Sequence, residues 1–268
     1  LQVGRNTLYL LTTNVEGNSE KMLDLTARLY GGDREMRIAQ EVVLGMGGMK
    51  LLNILEKKPD CFHANEGHSI FFQLSRIEEL MKKGVSFDEA KYIVASNTVF
   101  TTHTPVPAGN EAFGHSLVHK YFHKYCEEVN IDWKEFLELG HNTEDPQNFG
   151  LTIMSLKLSR FHNGVSKLHG EIAQEMWQNL WNNVPFNENP ITSITNGVHV
   201  PTWTAKEMKN IFAKHMGNDW EQHLSDDAYW DKIRSLPTEV FTDTRKNLKN
   251  KLIQTCRKNL KTQIENAG

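Results

Sequence analysis

Residues suited to chemistry concentrate in one ten-residue segment. Positions 101–110 read Thr-Thr-His-Thr-Pro-Val-Pro-Ala-Gly-Asn. They follow Asn97–Phe100, an apolar and β-branched run typical of a buried strand. Two prolines and a glycine then turn the chain. A histidine and hydroxyls at the carboxyl end of a strand stand where open α/β sheets bind ligands. Alone, the pattern is also typical of an ordinary capped strand end.

Two further polar strand ends favour a binding site. One runs from His63 to His68 and includes Glu66, and the other runs from Thr195 to His199. The carboxyl ends of parallel strands share one edge of a sheet, so we expect the three segments to meet there. Asparagine, threonine and histidine offer both donors and acceptors, and Glu66 adds an acceptor. This mixture suits a polyhydroxyl ligand such as a sugar.

A metal site and a nucleophile are less well supported. His63, Glu66 and His68 have the spacing His-x-x-Glu-x-His, which differs from the His-Glu-x-x-His of zinc proteases. On a strand-to-helix turn these side chains diverge, so no metal site is assigned. A small metal-dependent protein built on the 12 histidines stays an alternative. The sequence has no Gly-x-Ser-x-Gly elbow, and Cys61 is predicted to lie in the core.

Strand and helix patterns alternate along the chain. Strands are predicted at 7–11, 61–64, 97–102, 161–166 and 191–194. Helices are predicted at 34–56, from 69 to 83, and at 86–96, 117–129, 148–160, 169–181 and beyond 204. Phe113, Phe122, Trp133, Trp177 and Trp181 are predicted to be core rather than a sugar-stacking surface. The alternation predicts an α/β fold with a mainly parallel sheet, helices on both faces and a helical C-terminal extension.

Composition excludes several classes of protein. The chain has 268 residues, a net charge of −3, 39% hydrophobic and 24% charged residues. These values argue against disorder and against nucleic-acid binding. No apolar run reaches the roughly 18 residues that span a bilayer. Three widely spaced cysteines favour a cytoplasmic setting. Both ends are expected to be cut from a longer polypeptide, with a domain boundary between 1–203 and 204–268.

The chain resembles the α-glucan phosphorylases, the glycogen and maltodextrin phosphorylase family. The resemblance covers nearly the whole chain. Its histidine loop, Thr-His-Thr-Pro-Val-Pro, is similar to that of the short bacterial and archaeal branch. The segments that carry the resemblance are Leu29–Glu41, His63–Ser69, Thr101–Asn110, Asn163–His169 and Thr195–His199.

The resemblance implies a fold, a reaction and a cofactor. Family members have two facing Rossmann-like domains, the GT-B architecture, and transfer terminal glucose of an α-1,4-glucan to phosphate with retention, giving glucose 1-phosphate. It places 1–203 in the later part of the N-terminal glucan-binding domain and 204–268 in a connector toward the C-terminal domain. Pyridoxal phosphate is held by a lysine of that second domain, so no cofactor is expected in this segment.

The resemblance also assigns the site residues. His103 is expected at the reacting glucose, with its carbonyl near the sugar and its ring near the primary hydroxyl. Asn196 is expected to bind the same hydroxyl. Glu66 and His68 are expected to line the acceptor-side glucan subsite, and Arg37 the entrance. The implied partners are α-1,4-glucan and phosphate, with no nucleic acid and no membrane, and a homo-oligomer stays open.

Two other functions stay open at this point. One is a nucleotide-sugar-dependent glycosyltransferase of the same architecture, similar to glycogen synthase. The other is a non-catalytic glucan-binding module. The segment alone is expected to be inactive under the phosphorylase hypothesis, because the second domain supplies the cofactor and half of the sugar contacts.

Overall fold

A computed structural model describes residues 1–27, 32–106 and 109–267. The Cα positions form two compact units, Leu1–Asn196 and Gly197–Gly268. The start of the Leu29–Glu41 motif and Pro107 and Ala108 of the histidine loop lie outside the described residues. The assignment of residues 1–203 to one glucan-binding domain stays a prediction.

The sheet at the centre of the first unit is parallel, as predicted. The strands are β1 (Gln2–Val3), β2 (Asn6–Thr7), β3 (Phe62–Asn65), β4 (Thr98–Thr102), β5 (Ala112–Gly114), β6 (Asn148–Gly150), β7 (Phe161–Gly164) and β8 (Ile191–Ser193). Four of them form one sheet in the order β3-β4-β7-β8, and every pair in it is parallel. Two antiparallel pairs, β1-β2 and β5-β6, complete the strands of the described residues.

Helices account for most of the rest of the chain. In the first unit they are α1 (Glu20–Leu23), α2 (Arg34–Val42), α3 (Gly48–Ile54), α4 (Phe72–Met81), α5 (Phe87–Ser96), α6 (His115–Val129), α7 (Trp133–Glu138), α8 (Leu151–Lys157) and α9 (Lys167–Trp177). In the second unit they are α10 (Val200–Trp203), α11 (Lys206–Met216), α12 (Asp227–Trp230) and α13 (Thr238–Ala267). The α/β fold and the helical C-terminal extension are therefore confirmed.

Local sequence signals explain where the main helices begin. Asp33 caps α2 by accepting a hydrogen bond from the Met36 amide at 2.8 Å. Ser86 and Glu89 form a capping box at the start of α5. The predicted helix 34–56 contains a π-helical segment, Val43–Gly47, between α2 and α3. A Cβ added to Gly45 would lie 2.6 Å from the Ser69 carbonyl oxygen, so this glycine permits close packing of the helix against that backbone.

The core of the first unit is largely aromatic. Phe113 and Phe122 are fully buried and Trp177 nearly so, while Trp133 and Trp181 pack against the same cluster. Their prediction as core residues is confirmed. Two structural histidines complete this layer. His162 Nε2 lies 2.9 Å from the Leu156 carbonyl oxygen, and His169 Nδ1 accepts from the Val165 amide at 3.1 Å.

Three local predictions were wrong. The predicted strand 7–11 ends at Thr7, and Leu8 to Leu10 stay exposed, because within the described residues no strand pairs with them. The predicted helix 148–160 begins with strand β6, which pairs with β5, and turns helical only at Leu151. Cys61 lies just before β3 with an exposed free thiol rather than in the core.

The second unit is helical and has its own small core. Met216, Trp220 and Tyr229 are buried there, with Phe212 and Trp230 packed against them. The Tyr229 hydroxyl donates to the Met216 carbonyl at 2.9 Å, which gives this buried hydroxyl a partner. Among the described helices, none is both long and apolar enough to cross a membrane.

Candidate functional site at the carboxyl edge of the sheet

The carboxyl ends of β3 and β4 are tied together by Glu66. Parallel pairing places Asn65 opposite Thr101, so both strands deliver their next residues to the same edge. The Glu66 amide donates to the Thr101 carbonyl at 2.9 Å. Its carboxylate accepts a hydrogen bond from the His103 amide and another from the Thr104 hydroxyl at 3.2 Å. Glu66 therefore fixes the backbone at the start of the histidine loop.

The backbone of Glu66 is strained. Its φ of 64° and ψ of 175° fall in a region that is almost restricted to glycine. The next residue, Gly67, is buried against α8, where an added Cβ would lie 3.0 Å from the Leu151 Cβ. Packing on one side and the bonds to the histidine loop on the other hold the turn in this conformation. Strain of this kind clusters at functional sites.

A row of polar side chains crosses three strands at this edge. The Thr101 hydroxyl donates to the Asn163 side-chain oxygen at 2.9 Å and lies 2.7 Å from His63 Nε2. A hydroxyl has one proton to donate, so His63 Nε2 is the donor in the second bond. His63, Thr101 and Asn163 thus link the three strands at this edge by side-chain hydrogen bonds.

Four charged residues form an ionic cluster beside Glu66. Arg37 binds Glu111 with two nitrogens, at 3.1 and 2.7 Å, and also lies 3.2 Å from Glu41. His68 Nδ1 lies 3.2 Å from Glu41 and 3.5 Å from Glu111. Together these four residues, Arg37, Glu41, His68 and Glu111, make up the ionic cluster. Glu41 is only 2% exposed, so its charge depends on these partners.

Burial and neighbouring charges shift the pKa values in this cluster. Burial raises the pKa of Glu41 to about 8, against the opposing effect of its bond to His68. Hydrogen bonds to Glu111 and Glu41 raise the pKa of His68 to about 9. Burial would raise the pKa of Glu111, but bonds from His68 and Arg37 outweigh it and the pKa falls well below its usual range. At neutral pH, His68 is therefore cationic and Glu111 anionic.

The ionic cluster has the atoms of a cation site but not its charge. Ligand atoms of Glu41, His68 and Glu111 lie within 4.8 Å of one another, the one such group among the described residues. At neutral pH Glu41, with its raised pKa, mainly holds a proton, so Arg37 and cationic His68 already outnumber the one ionised carboxylate, Glu111. A metal ion would have to displace the bidentate arginine and the histidine proton. The arrangement favours a self-contained network of ion pairs.

A cavity of about 510 Å³ brings three of the five predicted site residues together. Arg37, Glu66 and His68 line it with Thr104 and Glu111. His103 follows Glu66 at its rim, but its ring is exposed and makes no hydrogen bond within the described part of the chain. The strand ends therefore gather at one edge as predicted, with His103 and Glu66 adjacent.

Asn196 lies at the same edge, beyond β8. Its amide donates to the Val165 carbonyl at 3.0 Å, which places it next to the end of β7. Its side chain is exposed and has no hydrogen-bond partner among the residues that the structure describes. The structure brings the backbone of Asn196 to the edge and does not bring its side chain to His103.

Three known proteins are similar to this chain in sequence. The chain is 41% identical over 239 residues to a maltodextrin phosphorylase of Thermococcus litoralis, covering 89% of this chain and 28% of that protein. It is 38% identical over 240 residues to a glycogen phosphorylase of Aquifex aeolicus, covering 89% of this chain and 34% of that protein. A glycogen phosphorylase of Mycobacterium tuberculosis is 38% identical over 247 residues, covering 88% of this chain and 28% of that protein.

The chain is homologous to a part of the α-glucan phosphorylases. The resemblance inferred from the motifs is therefore confirmed. The chain spans about a third of the length of the curated phosphorylases it matches. No family model matches the chain.

Two carboxylates of this site were missed by sequence reasoning. Glu41 lies one helical turn after Arg37, a spacing that favours an ion pair, so the sequence contained a signal for it. Glu111 is 74 residues from Arg37 in the chain. It follows a turn with two prolines and a glycine, and this turn returns the chain to α2. Nothing in its local sequence indicates that partner.

Proposed function

We propose that this chain supplies the glucan-binding side of an α-glucan phosphorylase. The complete enzyme would transfer the terminal glucose of an α-1,4-glucan to phosphate and release glucose 1-phosphate. The observation that carries the proposal is the strained Glu66 turn, which fixes His103 at the carboxyl edge of a parallel sheet in a chain homologous to phosphorylases. Active sites of open α/β folds lie at that edge.

His103 is the proposed contact with the reacting glucose. Its amide is held by the Glu66 carboxylate, so the position of the peptide is set before a ligand arrives. Within the described residues its carbonyl accepts no hydrogen bond. A fixed and unpaired carbonyl dipole can stabilise positive charge that develops on a sugar ring during glycosyl transfer. The exposed ring is then free to bind the primary hydroxyl.

Asn196 is the proposed second contact with that hydroxyl. Its amide side chain offers both a donor and an acceptor, and it is unpaired in this structure. Arg37, Glu66 and His68 line the neighbouring cavity, which we assign to the acceptor side of the glucan. Charged and polar groups in a cavity of this kind suit the hydroxyls of a sugar chain.

Pyridoxal phosphate is not assigned to residues of this chain. The cofactor needs a lysine for its Schiff base, and the side chains that line the edge cavity are those of arginine, glutamate, histidine, threonine, asparagine, alanine and leucine. The residues here do not fit the group, so we expect it to bind elsewhere in the enzyme. The purified chain alone should show no aldimine absorbance and no phosphorolysis.

A cytoplasmic setting is part of the proposal. Cys61, Cys126 and Cys256 are all free thiols, and two of them are exposed. Exposed free thiols suit a reducing compartment.

The assignment of Asn196 can be tested by kinetics of the intact enzyme. Losing one hydrogen bond to a buried hydroxyl costs roughly 1–3 kcal/mol. Asn196→Ala should therefore lower kcat/KM for glucan phosphorolysis about 10-fold to 100-fold. If the Asn196 hydrogen bond tightens as the sugar ring flattens toward the transition state, the substitution should change both kcat and KM, with a lower kcat.

Two controls make the kinetic test specific. A glucan with a 6-deoxyglucosyl terminus lacks the hydroxyl, so Asn196→Ala should affect it much less. Asn182→Ala removes an exposed asparagine away from the strand ends and should leave both substrates unaffected. Equal losses on both substrates would show that Asn196 only shapes its loop.

A further inference from the structure

Helix α6 carries a column of histidines that the proposed function does not use. His115, His119 and His123 are spaced by four residues, and Glu127 follows at the same interval. Residues four apart on a helix lie one above the other on one face. The apolar residues of α6, including Val118 and Phe122, are buried, whereas His119 is exposed and His123 half-buried. The column therefore runs along an accessible side of the helix.

The rings of His119 and His123 are held together by Trp133. They stack with centroids 4.2 Å apart and an interplanar angle of 29°. The Trp133 indole contacts both, at 5.3 Å from His119 and 5.5 Å from His123. Trp133 in turn stacks at 5.4 Å on Phe136, which is fully buried. Two exposed imidazoles are thus braced against the core by one aromatic residue.

We propose that His119 and His123 form a binding site for a divalent transition metal such as Zn²⁺ or Ni²⁺. Two histidines at positions i and i+4 of a helix present their nitrogens to one ion. Zinc–nitrogen bonds of about 2.0–2.1 Å in a tetrahedral site place two nitrogens about 3.3 Å apart. The ring nitrogens bind a metal in the plane of each ring, so the two imidazoles must turn out of their stacked arrangement about their side-chain bonds to converge on one ion. Imidazole is a good ligand for zinc, copper and nickel.

Glu127 orients the second ligand. His123 Nδ1 faces the Glu127 carboxylate at 3.7 Å. A metal-bound histidine usually donates its other ring N–H to a carboxylate, which fixes the tautomer and raises the basicity of the ligating nitrogen. At 3.7 Å this pair is longer than a hydrogen bond, so Glu127 would have to close on Nδ1 when the metal binds, which leaves Nε2 of His123 for the metal. Within the described residues, no hydrogen bond occupies a ring nitrogen of His119, so that ring is also available.

The surrounding charges do not cover this site. The ammonium of Lys120 pairs with Glu35 at 2.8 Å, and that of Lys124 lies 3.6 Å from Glu128. Both lysines are therefore held by carboxylates other than Glu127. The site is distinct from the ionic cluster, in which Arg37 and His68 bind the carboxyl groups of Glu41 and Glu111.

The test is a titration of chelator-treated protein with Ni²⁺ alone. Exposed thiols also bind nickel, so the protein carries Cys61→Ser and Cys256→Ser. We expect one Ni²⁺ per chain by calorimetry, with quenching of tryptophan emission. His119→Gln and His123→Gln should each weaken binding by more than about 10-fold, the least that loss of even an outer-sphere partner costs. His141→Gln, a histidine outside α6, should change nothing.

Three further variants locate the ion. Trp133→Phe should keep the calorimetric binding and lose most of the quenching. Glu127→Gln should weaken binding about 10-fold, whereas its neighbour Glu128→Gln should not. Glu111→Gln in the ionic cluster should have no effect. The proposal is overturned if the double variant His119→Gln/His123→Gln binds Ni²⁺ as tightly as the parent, or if Glu111→Gln abolishes binding.

Discussion

The ends of β3 and β8 lie at the same edge of one sheet but are built differently. After β3, Glu66 is strained, its carboxylate holds His103 and Thr104, and the ionic cluster lies beside it. After β8, Asn196 is anchored by one backbone hydrogen bond and its side chain is exposed. The first strand end is fixed by the chain itself. At the second strand end only the backbone of Asn196 is fixed, and its side chain is available to bind a ligand.

This difference separates positioning from recognition. Side chains that already bind each other, such as Arg37 and Glu111, offer a sugar only the donors and acceptors that those bonds leave over. Exposed unpaired groups such as Asn196 and the His103 ring can bind a sugar without that cost. The comparison predicts large stability effects at the first strand end and small ones at the second.

Removal of Arg37 should give the largest effect. Arg37→Ala leaves the ionised carboxylate of Glu111 without its bidentate partner, and breaking a buried pair from one side costs about 3–5 kcal/mol. Urea unfolding of the purified chain should show a loss of this size. Lys21→Ala, which breaks an exposed pair with Glu35, should cost far less. Similar losses in the two variants would refute the structural role of the cluster.

The strain at Glu66 can be measured by two substitutions. Glu66→Ala loses the anchor to His103, at about 1.5–3 kcal/mol for bonds to a charged group, and keeps the unfavourable backbone. Glu66→Gly loses the anchor and relieves the backbone, so it should be about 1 kcal/mol more stable than Glu66→Ala in urea unfolding.

The neighbouring residue supplies the control for that pair. Asn65 lies in β3, where glycine is less favourable than alanine by roughly 0.5–1 kcal/mol. Asn65→Gly should therefore be less stable than Asn65→Ala, the reverse of the order at Glu66. The same order at both positions would mean that Glu66 stores no strain.

The ionic cluster should also make stability depend on pH. The pKa of His68 is raised to about 9 in the folded state, so its contribution is complete below the unfolded value of about 6.5 and is lost as pH rises through 9. The raised pKa of Glu41 acts in the same direction, because the folded state holds a proton that the unfolded state releases. The free energy of unfolding should fall between pH 6.5 and 9.

Substitution of His68 tests this assignment. His68→Gln should flatten the decline, while His119→Gln on α6 should leave it unchanged. Denaturant titrations at a series of pH values give both slopes. A decline that persists unchanged in His68→Gln would assign it to other groups.

Asn196 should give the smallest effect on the fold. An exposed side chain without partners contributes within about 0.5 kcal/mol. Asn196→Ala should therefore leave the urea midpoint of the chain almost unchanged, even though we expect a large kinetic defect in the intact enzyme. A marked loss of stability would show that Asn196 is structural and would weaken its assignment to sugar binding.

The main sheet could be predicted from sequence because its signals are local. The apolar run 97–102, the capping box at Ser86 and the polar residues after each strand depend on near neighbours. The antiparallel pair β5-β6 could not be predicted, since more than thirty residues separate its two short strands in the chain. The predicted strand at Leu8 to Leu10 was wrong because the local signal was present but, among the residues that the structure describes, the partner was not. An apolar, β-prone run becomes a strand only where a partner strand exists.

The candidate site could be predicted only in part, for a related reason. The polar strand ends and the family motifs indicate Glu66, His103 and Asn196. The role of Arg37 depends on Glu111, which a turn brings back from a distant part of the chain. The strain at Glu66 depends on a backbone angle that the residue type does not reveal. Electrostatic partners and backbone geometry therefore had to come from the structure.

Amide hydrogen exchange at His103 tests the central claim most directly. The claim is that the Glu66 carboxylate fixes the histidine loop in the absence of any ligand. The His103 amide should be protected in the chain alone, and Glu66→Gln should speed its exchange about 10-fold or more by weakening a charge-assisted bond. The Asn196 amide, bonded to Val165, should exchange at an unchanged rate. An unprotected His103 amide, or equal exchange with and without the Glu66 carboxylate, would contradict the account.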